Sequence, residues 1–259
     1  MPQWAVATAV YAAYVIACAA LVPSLPWRQR AAAAVTAAVA AALGLSAQMV
    51  STFALRSLLL PVSSLVLGYR ATGFLWRAAD SRTEAVLAGT DATLRIRLLA
   101  SRAPRAAAEF LECAYTAVYP LIPIALWLHM RFARPADADA SWTVILVTDY
   151  ICFAMLPWIQ TRPPRMLEAG PPWRATLRGV NLGILHRVSV QMNTVPSGHA
   201  AEAVACALLV LDARAAVVAA MFVMAISISA GALFGRYHYA IDIALGWLVA
   251  ILVWAALRA

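Results

Sequence analysis

The sequence predicts an all-α membrane protein, a polytopic bundle of transmembrane helices. Of its 259 residues, 64% are hydrophobic and only 12% are charged, whereas charged residues make up about 25% of a typical soluble domain. One bilayer crossing needs about 20 apolar residues, so the chain can supply roughly six to eight crossings. The same composition excludes disordered chains, collagen-like repeats and small disulfide-stabilised folds.

Apolar segments follow one another along the whole chain. The first begins at Trp4 and is a retained span rather than a cleaved signal peptide, because no basic residue precedes it. The third is the weakest, since Pro61, Arg56 and Arg70 leave it a short apolar centre; it crosses, dips in and returns, or continues the second helix. The predicted segments are 4–23, 31–50, 58–67, 106–130, 142–160, 197–211, 215–234 and 239–257.

Two segments between these spans are polar. Residues 77–105 mix arginines and acidic residues with Ala and Leu, which predicts a helix that lies in the membrane interface. Residues 161–195 carry five Arg and four Pro, which predicts an irregular extramembrane loop.

The basic residues are all arginine: there are 20 of them, no Lys, and a net charge of +8. A guanidinium offers paired donors that suit phosphate, although an all-Arg chain is equally typical of a genome rich in G and C. The arginines lie between apolar spans and form no stripe on a soluble module, so we expect no nucleic-acid partner. We expect the partners to be the lipid bilayer and an anionic lipid substrate.

Counting crossings places most of these arginines on one membrane face. Two predicted spans separate residues 77–105 from 161–195, and two more separate that loop from residues 235–238. The shared face then carries twelve arginines, and the opposite face carries four: Arg131, Arg134, Arg214 and Arg258. The sequence therefore predicts a strongly cationic side.

Two of the four histidines, His199 and His238, lie on that cationic side. His199 closes the run PSGH, where Pro196 suits a first helical turn and Ser197 and Gly198 would offer backbone N–H groups to a phosphate. The alternative is a plain helix start with a solvated histidine. His238 precedes Asp242 by four residues, so on a helix the carboxylate can hold the imidazole N–H and leave the other nitrogen free to attack.

Other polar residues remain open to two interpretations. The His238–Asp242 pair can be an ordinary polar contact, although an Asp entering an apolar span is costly and so favours function. Arg162, Arg165 and Arg236 can converge on one anion, or each can anchor a span at the interface. Four acids also lie in apolar surroundings: Glu109, Glu112, Asp149 and Glu202. Glu202 is expected to pair with an arginine, to restrain the site or to form a contact between helices, and a metal site is disfavoured.

These motifs together resemble the type 2 phosphatidic acid phosphatase superfamily of membrane lipid phosphatases and phosphotransferases. The three signatures occur in the family's order, as TRPPR at 161–165, PSGH at 196–199 and HYAID at 238–242. The resemblance extends from about Arg70 to the C-terminus. It implies a six-helix core plus one or two extra N-terminal spans. We therefore expect accessory helices in residues 1–53 and a catalytic membrane domain in residues 54–259.

The resemblance also implies residue roles. His238 would be the nucleophile that forms a phosphohistidine, Asp242 its orienting partner, and His199 the general acid. The phosphate would be bound by Arg162, Arg165, Ser197, Gly198 and Arg236, with the choice between Arg162 and Arg165 open, and no metal or other cofactor is expected. The implied reaction is metal-independent hydrolysis of a prenyl, diacylglycerol or related lipid phosphate.

Two alternatives accompany this function. One is head-group transfer to an alcohol, as in the inositol phosphorylceramide synthases, and the other is a non-catalytic lipid-phosphate transporter or scaffold. Met155 and Ala232 replace a Lys and an Arg of the family's pattern, and these departures resemble the bacterial branch allied with those synthases. We expect a bacterial cytoplasmic membrane. In the family the active site faces outward, and we expect the same orientation here, although twelve arginines on the site's face favour the cytoplasmic side by the positive-inside rule.

Overall fold

The computed structural model describes residues 1–132 and 137–258, and within them it contains α-helices and no β-strand. This confirms the all-α class. Arg134, which was assigned to the less basic face, lies outside the described residues. The helices are α1 (Gln3–Leu21), α2 (Trp27–Ser46), α3 (Leu60–Gly73), α4 (Ser81–Thr93), α5 (Ile96–Ser101), α6 (Arg105–Thr116), α7 (Val118–Phe132), α8 (Ala138–Ala154), α9 (Leu177–Val188), α10 (Gly198–Leu208), α11 (Ala215–Phe234) and α12 (Ala240–Arg258).

Four helices of the described chain, namely α1, α2, α11 and α12, are each long and apolar enough to cross a membrane. The bent pair of α6 and α7 adds a fifth candidate span. The protein is therefore an integral membrane protein. Because α8 and α10 have only 17 and 11 residues, the total of six to eight crossings stays a prediction.

The segment predicted as a span over 106–130 consists of two helices, which together remain a candidate span with a break that the sequence did not predict. α6 ends at Thr116, α7 begins at Val118, and the two are bent by 61°. Pro120 accounts for the break, because a proline ring clashes with the carbonyl group four residues earlier, here that of Thr116. The bend brings the start of α7 alongside the cavity described below.

The weak third segment is longer than predicted. A π-helical turn at Leu55–Leu59 runs directly into α3. Pro61 has no N–H to donate to the carbonyl of Ser57, and that carbonyl instead accepts a hydrogen bond from Trp142 Nε1 at 2.6 Å. The chain thus continues as one helix from Leu55 to Gly73 and contacts α8.

The two polar segments also differ from the predictions. Residues 77–105 form two helices, α4 and α5, separated at Arg95, whose φ of 54° ends the first helix. The segment 161–195 is not irregular throughout, because it contains α9. The part before α9 contains a 3₁₀ turn at Pro164–Met166, and an isolated bridge joins Thr161 to Asn193 on the other side of α9.

The N-terminal helices share one hydrophobic core with the rest of the bundle. Tyr11 of α1 stacks on Tyr150 of α8 with ring centroids 4.2 Å apart, and the Thr8 hydroxyl lies 3.1 Å from the Tyr150 hydroxyl. Gly68 permits α3 to join this contact, since a Cβ there would lie 2.7 Å from the Tyr150 ring. The division at residue 53 remains a prediction, but no break in the core marks it.

Candidate active site

A cavity of about 380 Å³ brings His199, His238 and Arg165 together. His199 lies in the first turn of α10, and His238 lies in the turn between α11 and α12. Their ring centroids are 6.0 Å apart with the ring planes tilted by 51°. The two imidazoles are therefore close enough for one ligand in the cavity to contact both.

The N-terminus of α10 is capped internally, which corrects the expectation of free N–H groups there. The Ser197 N–H donates to the backbone oxygen of Asp242 at 2.9 Å, and the Gly198 N–H donates to Thr194 Oγ1 at 3.3 Å. Ser197 Oγ in turn accepts from the Ala200 N–H at 3.4 Å. These donors hold the PSGH run in place and are not available to a phosphate.

A close helix contact fixes the position of that run against α12. A Cβ at Gly246 would lie 2.6 Å from the Ser197 carbonyl oxygen, a distance that real side chains do not adopt. α12 therefore approaches the start of α10 more closely than any residue other than glycine allows. This contact sets the spacing between His199, at the start of α10, and His238, just before α12.

His238 precedes α12 rather than lying on it, so the argument from a shared helical face is wrong. Asp242 belongs to the first turn, where its Oδ2 accepts from the Tyr239 N–H at 2.9 Å. The same oxygen lies 3.5 Å from His238 Nδ1, which is longer than a formed hydrogen bond. Catalytic hydrogen bonds commonly tighten when substrate binds. Because Nδ1 faces the carboxylate, Nε2 is the nitrogen left for the substrate.

Asn193 is a site residue that the sequence analysis missed. Its side-chain N–H donates to Asp242 Oδ2 at 2.9 Å and to Thr161 Oγ1 at 3.1 Å, and its backbone N–H donates to the Thr161 oxygen at 2.9 Å. It thereby connects the first signature to the third. No spacing rule singles out an asparagine in a loop. The one sequence signal for Asn193 is its position three residues before the PSGH run.

Arg165 is the arginine that the structure places beside the imidazoles. Its backbone N–H donates to the Arg236 oxygen at 2.9 Å, and its guanidinium carbon lies 5.7 Å from the Tyr237 ring centroid. Among the described residues no carboxylate forms an ion pair with it. Burial lowers the pKa of the Arg165 guanidinium from its ordinary value, although an arginine stays protonated.

The other two candidate arginines are held elsewhere. Arg162 forms a fork with Glu84, with distances of 3.0 Å from Nε and 2.8 Å from Nη2, and it does not line the cavity. This hydrogen bonding lowers the pKa of Glu84. Arg236 pairs with Asp91 at 2.5 Å and with Glu168 at 2.8 Å. The structure thus corrects the expectation that three guanidiniums converge on one anion.

Arg236 adopts a left-handed backbone conformation, with φ of 62°. The N–H groups of Arg236 and Tyr237 donate to the carbonyls of Leu233 and Ala232, which is the Schellman arrangement that ends a helix. Glycine usually occupies this position. The two ion pairs of Arg236 therefore stabilise a turn that orients the adjacent His238.

Glu112 on α6 is the second residue whose role was not predicted. Its fully buried carboxylate accepts hydrogen bonds from Tyr237 Oη at 2.6 Å, Asn181 Nδ2 at 2.6 Å, Trp173 Nε1 at 2.8 Å and Arg178 Nη1 at 3.0 Å. Tyr237 in turn stacks on Tyr115 at 4.1 Å. Tyr115 stacks on His199 at 5.2 Å, so a chain of contacts links Glu112 to both imidazoles.

Comparison with protein families matches residues 81–256 to the PAP2 superfamily. Comparisons with curated proteins and with solved structures gave no significant match. The matched region contains both imidazoles, Arg165 and Asp242, whereas α3 precedes it. Because this match covers more than half of the chain and the three signatures lie within it, the protein belongs to the PAP2 superfamily, whose members act as phosphatases or phosphotransferases on phosphate esters.

Proposed function

We propose that the protein hydrolyses a membrane lipid phosphate without a metal ion, through a phosphohistidine intermediate. The observation that carries this proposal is the pair of imidazoles, with ring centroids 6.0 Å apart, in one cavity with the Arg165 guanidinium, which pairs with no carboxylate of residues 1–132 and 137–258. A nucleophile, a proton donor and a fixed positive charge are the three groups that displacement at phosphorus requires.

The first half of the reaction uses His238 as nucleophile. Its Nε2 attacks phosphorus, a P–N bond forms, and the P–O bond to the lipid alcohol breaks. Protonated His199 gives its proton to the departing oxygen, so the product leaves as a neutral alcohol. Asp242 accepts the Nδ1 proton of His238 in a hydrogen bond and stabilises the ring as it becomes positively charged.

The second half restores the enzyme. Neutral His199 takes a proton from water, the water oxygen attacks phosphorus, and the P–N bond breaks to release inorganic phosphate. Arg165 faces the equatorial oxygens in both halves, where negative charge is greatest. This distribution of roles needs no group that the chain itself does not supply.

The walls of the cavity support a lipid substrate. On its membrane side the lining consists of apolar residues of α3 and α7, namely Val62, Leu65, Val66, Val118, Ile122 and Pro123. Val62 and Val66 are also exposed on the outer surface of the bundle. An acyl or prenyl chain can therefore lie between α3 and α7 while its phosphate reaches the imidazoles.

One observation favours the transferase alternative in particular. Arg165 also borders a second, open depression of about 800 Å³, which is lined by Arg105, Arg174 and Arg178 among others. This depression gives a polar molecule a route to the phosphohistidine that does not pass through the apolar cleft. Attack on the phosphohistidine by water that enters through this depression gives hydrolysis, and attack by a polyol gives head-group transfer.

The experiment measures phosphate release from prenyl, diacylglycerol and sphingoid phosphates by purified protein in the presence of chelator. We expect release that falls at least about a thousandfold in His238→Ala, with a phospho-enzyme trapped by quenching in alkaline detergent, where a phosphohistidine survives, in the wild type only. His186→Ala is the matched control, because His186 is exposed at the end of α9 and lies outside the cavity. Full activity in His238→Ala would show the proposal to be wrong.

The same assay separates the alternatives. Supplying a polyol or lipid alcohol and obtaining a new phosphodiester in place of free phosphate would identify a transferase. Binding of lipid phosphate that survives loss of both imidazoles, without turnover, would identify a transporter. We propose further that the site faces the extracytoplasmic side of a bacterial cytoplasmic membrane.

A further inference from the structure

The cavity contains two carboxylates that the proposed reaction does not use. Asp149 lies on α8 and Glu202 on α10, and both line the same cavity as His199. Asp149 is only 1% exposed, and in the part of the chain that the structure describes neither of its carboxylate oxygens has a hydrogen-bond partner. Glu202 is partly exposed, and no hydrogen bond or ion pair to it occurs among the described residues.

A buried carboxylate without a partner is costly. Removing an ionised carboxylate from water costs several kcal/mol unless a donor or a cation replaces the lost hydration. Polar residues inside a membrane bundle are accordingly uncommon where they serve only packing. Other buried acids of this chain illustrate the contrast, because Glu112 accepts four hydrogen bonds and Asp242 accepts two. An unpartnered carboxylate of this kind takes up a proton or accepts from a donor that enters the cavity, and a ligand with such a donor would bind here with a gain in free energy.

The position of the pair shows which part of a substrate it meets. Glu202 follows His199 by three residues on α10, which places it about 4.5 Å further along the helix axis, away from the imidazole end. Asp149 Oδ1 lies 3.7 Å from the point where a Cβ on Gly198 would be, so it is level with the start of α10. Asp149 is therefore level with the imidazole end of the cavity and Glu202 lies about one helical turn beyond it, so the first atoms of an alcohol whose phosphate lies at His199 come next to this pair.

A plain hydrocarbon chain offers no hydrogen-bond donor to the two carboxylates of this pair. No third His, Cys, Asp or Glu joins Asp149 and Glu202 in an arrangement suited to a metal ion within residues 1–132 and 137–258. Arg165, the nearby cation of the cavity, forms no ion pair with either of them. The complementary partner is thus a hydrogen-bond donor, and a positively charged one is best.

We infer that Asp149 and Glu202 form a specificity subsite for a lipid phosphate whose alcohol carries a protonated amine or a hydroxyl next to the phosphoester. The inference rests on the proposed function, since it assigns the substrate class of the same cavity. A lipid with such a donor satisfies the carboxylates on binding, whereas a prenyl phosphate or a simple alkyl phosphate leaves them desolvated and unpaired. A hydrogen bond to a charged group favours the donor-bearing lipid about tenfold or more.

A matched series of synthetic lipids tests this. Hexadecyl phosphate, 2-hydroxyhexadecyl phosphate and 2-aminohexadecyl phosphate differ only in the group next to the phosphoester. We expect kcat/KM of the wild-type protein to rise in that order, by at least about tenfold from the first lipid to the last. Asp149→Asn and Glu202→Gln keep the shape of the side chains and remove the charge. Each should bring the ratio of kcat/KM between 2-aminohexadecyl phosphate and hexadecyl phosphate towards one.

A control variant and a second measurement keep this inference separate from the proposed chemistry. Asp139→Asn changes an acid at the outer end of α8, where Asp139 pairs with Arg56, and it should leave the preference intact. The dissociation constants of the three lipids are measured as well, on His238→Ala protein and on the same protein with Glu202→Gln, so that binding is observed without turnover. We expect the amine-bearing lipid to bind His238→Ala most tightly and to lose that advantage in the double variant.

Each outcome has a definite meaning. Equal use and equal binding of the three lipids by the wild-type cavity would overturn the inference, even if all were hydrolysed. An equal loss of activity on all three in Asp149→Asn and Glu202→Gln would assign the carboxylates a structural role and would also overturn it. A binding preference that depends on Glu202, without phosphate release from any lipid, would sustain the inference and refute the proposed hydrolysis.

Discussion

Asn193 donates a hydrogen bond of 2.9 Å to Oδ2 of Asp242, the same oxygen that lies 3.5 Å from His238 Nδ1. The amide therefore helps to fix the position of that carboxylate oxygen relative to His238. Since Asn193 also binds Thr161, the orientation of His238 depends on the loop that carries the first signature. This relationship makes Asn193 a positioning residue, and it can be tested without touching an imidazole.

Replacing Asn193 by Ala should lower kcat by about 10- to 100-fold and leave KM nearly unchanged, as for other residues that orient a histidine partner. The change removes a donor to Asp242 without altering the cavity lining. Steady-state kinetics on the best lipid phosphate provide the measurement. Asn181→Ala is the comparison, because Asn181 binds Glu112 rather than Asp242. A rise in KM with unchanged kcat would contradict the positioning role.

Arg165 and Arg162 should respond differently to the same substitution. Arg165→Ala removes a guanidinium that lines the cavity and is expected to lower kcat/KM by about 10²- to 10³-fold, the loss usual for a group that stabilises transition-state charge. Arg162→Ala removes a contact to Glu84 outside the cavity and should have a much smaller effect on activity. Assays on both variants decide which arginine of TRPPR binds phosphate. Equal losses in the two would contradict the assignment made from their positions.

Removing the charge of Glu112 should destabilise the fold more than removing any exposed acid. In Glu112→Gln the buried guanidinium of Arg178, which is 8% exposed, loses its counter-charge. Breaking such a buried pair costs about 3–5 kcal/mol. Thermal unfolding in detergent provides the measurement. Glu109→Gln on the same helix is the matched control, since its partner Arg105 is largely exposed, and a similar loss of stability in both would refute the role of Glu112.

The pairing of Glu84 with Arg162 predicts an acid-labile contact between α4 and the loop. The pKa of Glu84 is lowered chiefly by the hydrogen bond from Arg162. Its stabilising contribution is therefore fully present above the ordinary pKa of a glutamate and is lost as the pH falls through the lowered value. Unfolding of wild type and Glu84→Gln, compared between pH 7 and pH 3, should show a difference that shrinks on acidification. A difference independent of pH would exclude this linkage.

The side of the membrane that carries the site can be read by labelling. Gly179 lies in α9, and nothing lies within 4 Å of the position that its Cβ would occupy, so Gly179→Cys should be tolerated. The exposed native thiol, Cys113, is replaced by Ser. An impermeant thiol reagent added to intact cells should label this variant if the site faces outward. Labelling only after the cells are permeabilised would place the site in the cytoplasm, as the arginine count alone suggests.

The sequence by itself determined the membrane class, the helical fold and the three signatures of the family. These features are local: an apolar run forms a helix wherever it meets lipid, because its backbone groups must satisfy one another. The runs PSGH and HYAID contain two of only four histidines, so the chain offers few other candidates. The breaks at Pro120 and Arg95 were not predicted, since the strong hydropathy of one segment and the mixed composition of the other obscured them.

Only the tertiary structure decided which charged groups are free. Arg162 and Arg236 are neutralised by Glu84 and Asp91, which lie 78 and 145 residues away in the chain. Arg165 has no such partner within the described residues. Likewise the Glu112 carboxylate accepts hydrogen bonds from Trp173 in the loop and from Tyr237 in the turn after α11, whereas no described residue donates to the Asp149 carboxylate. The reason is physical: the energy of a charge inside a protein depends on what packs against it, and that depends on contacts between segments that are distant in sequence.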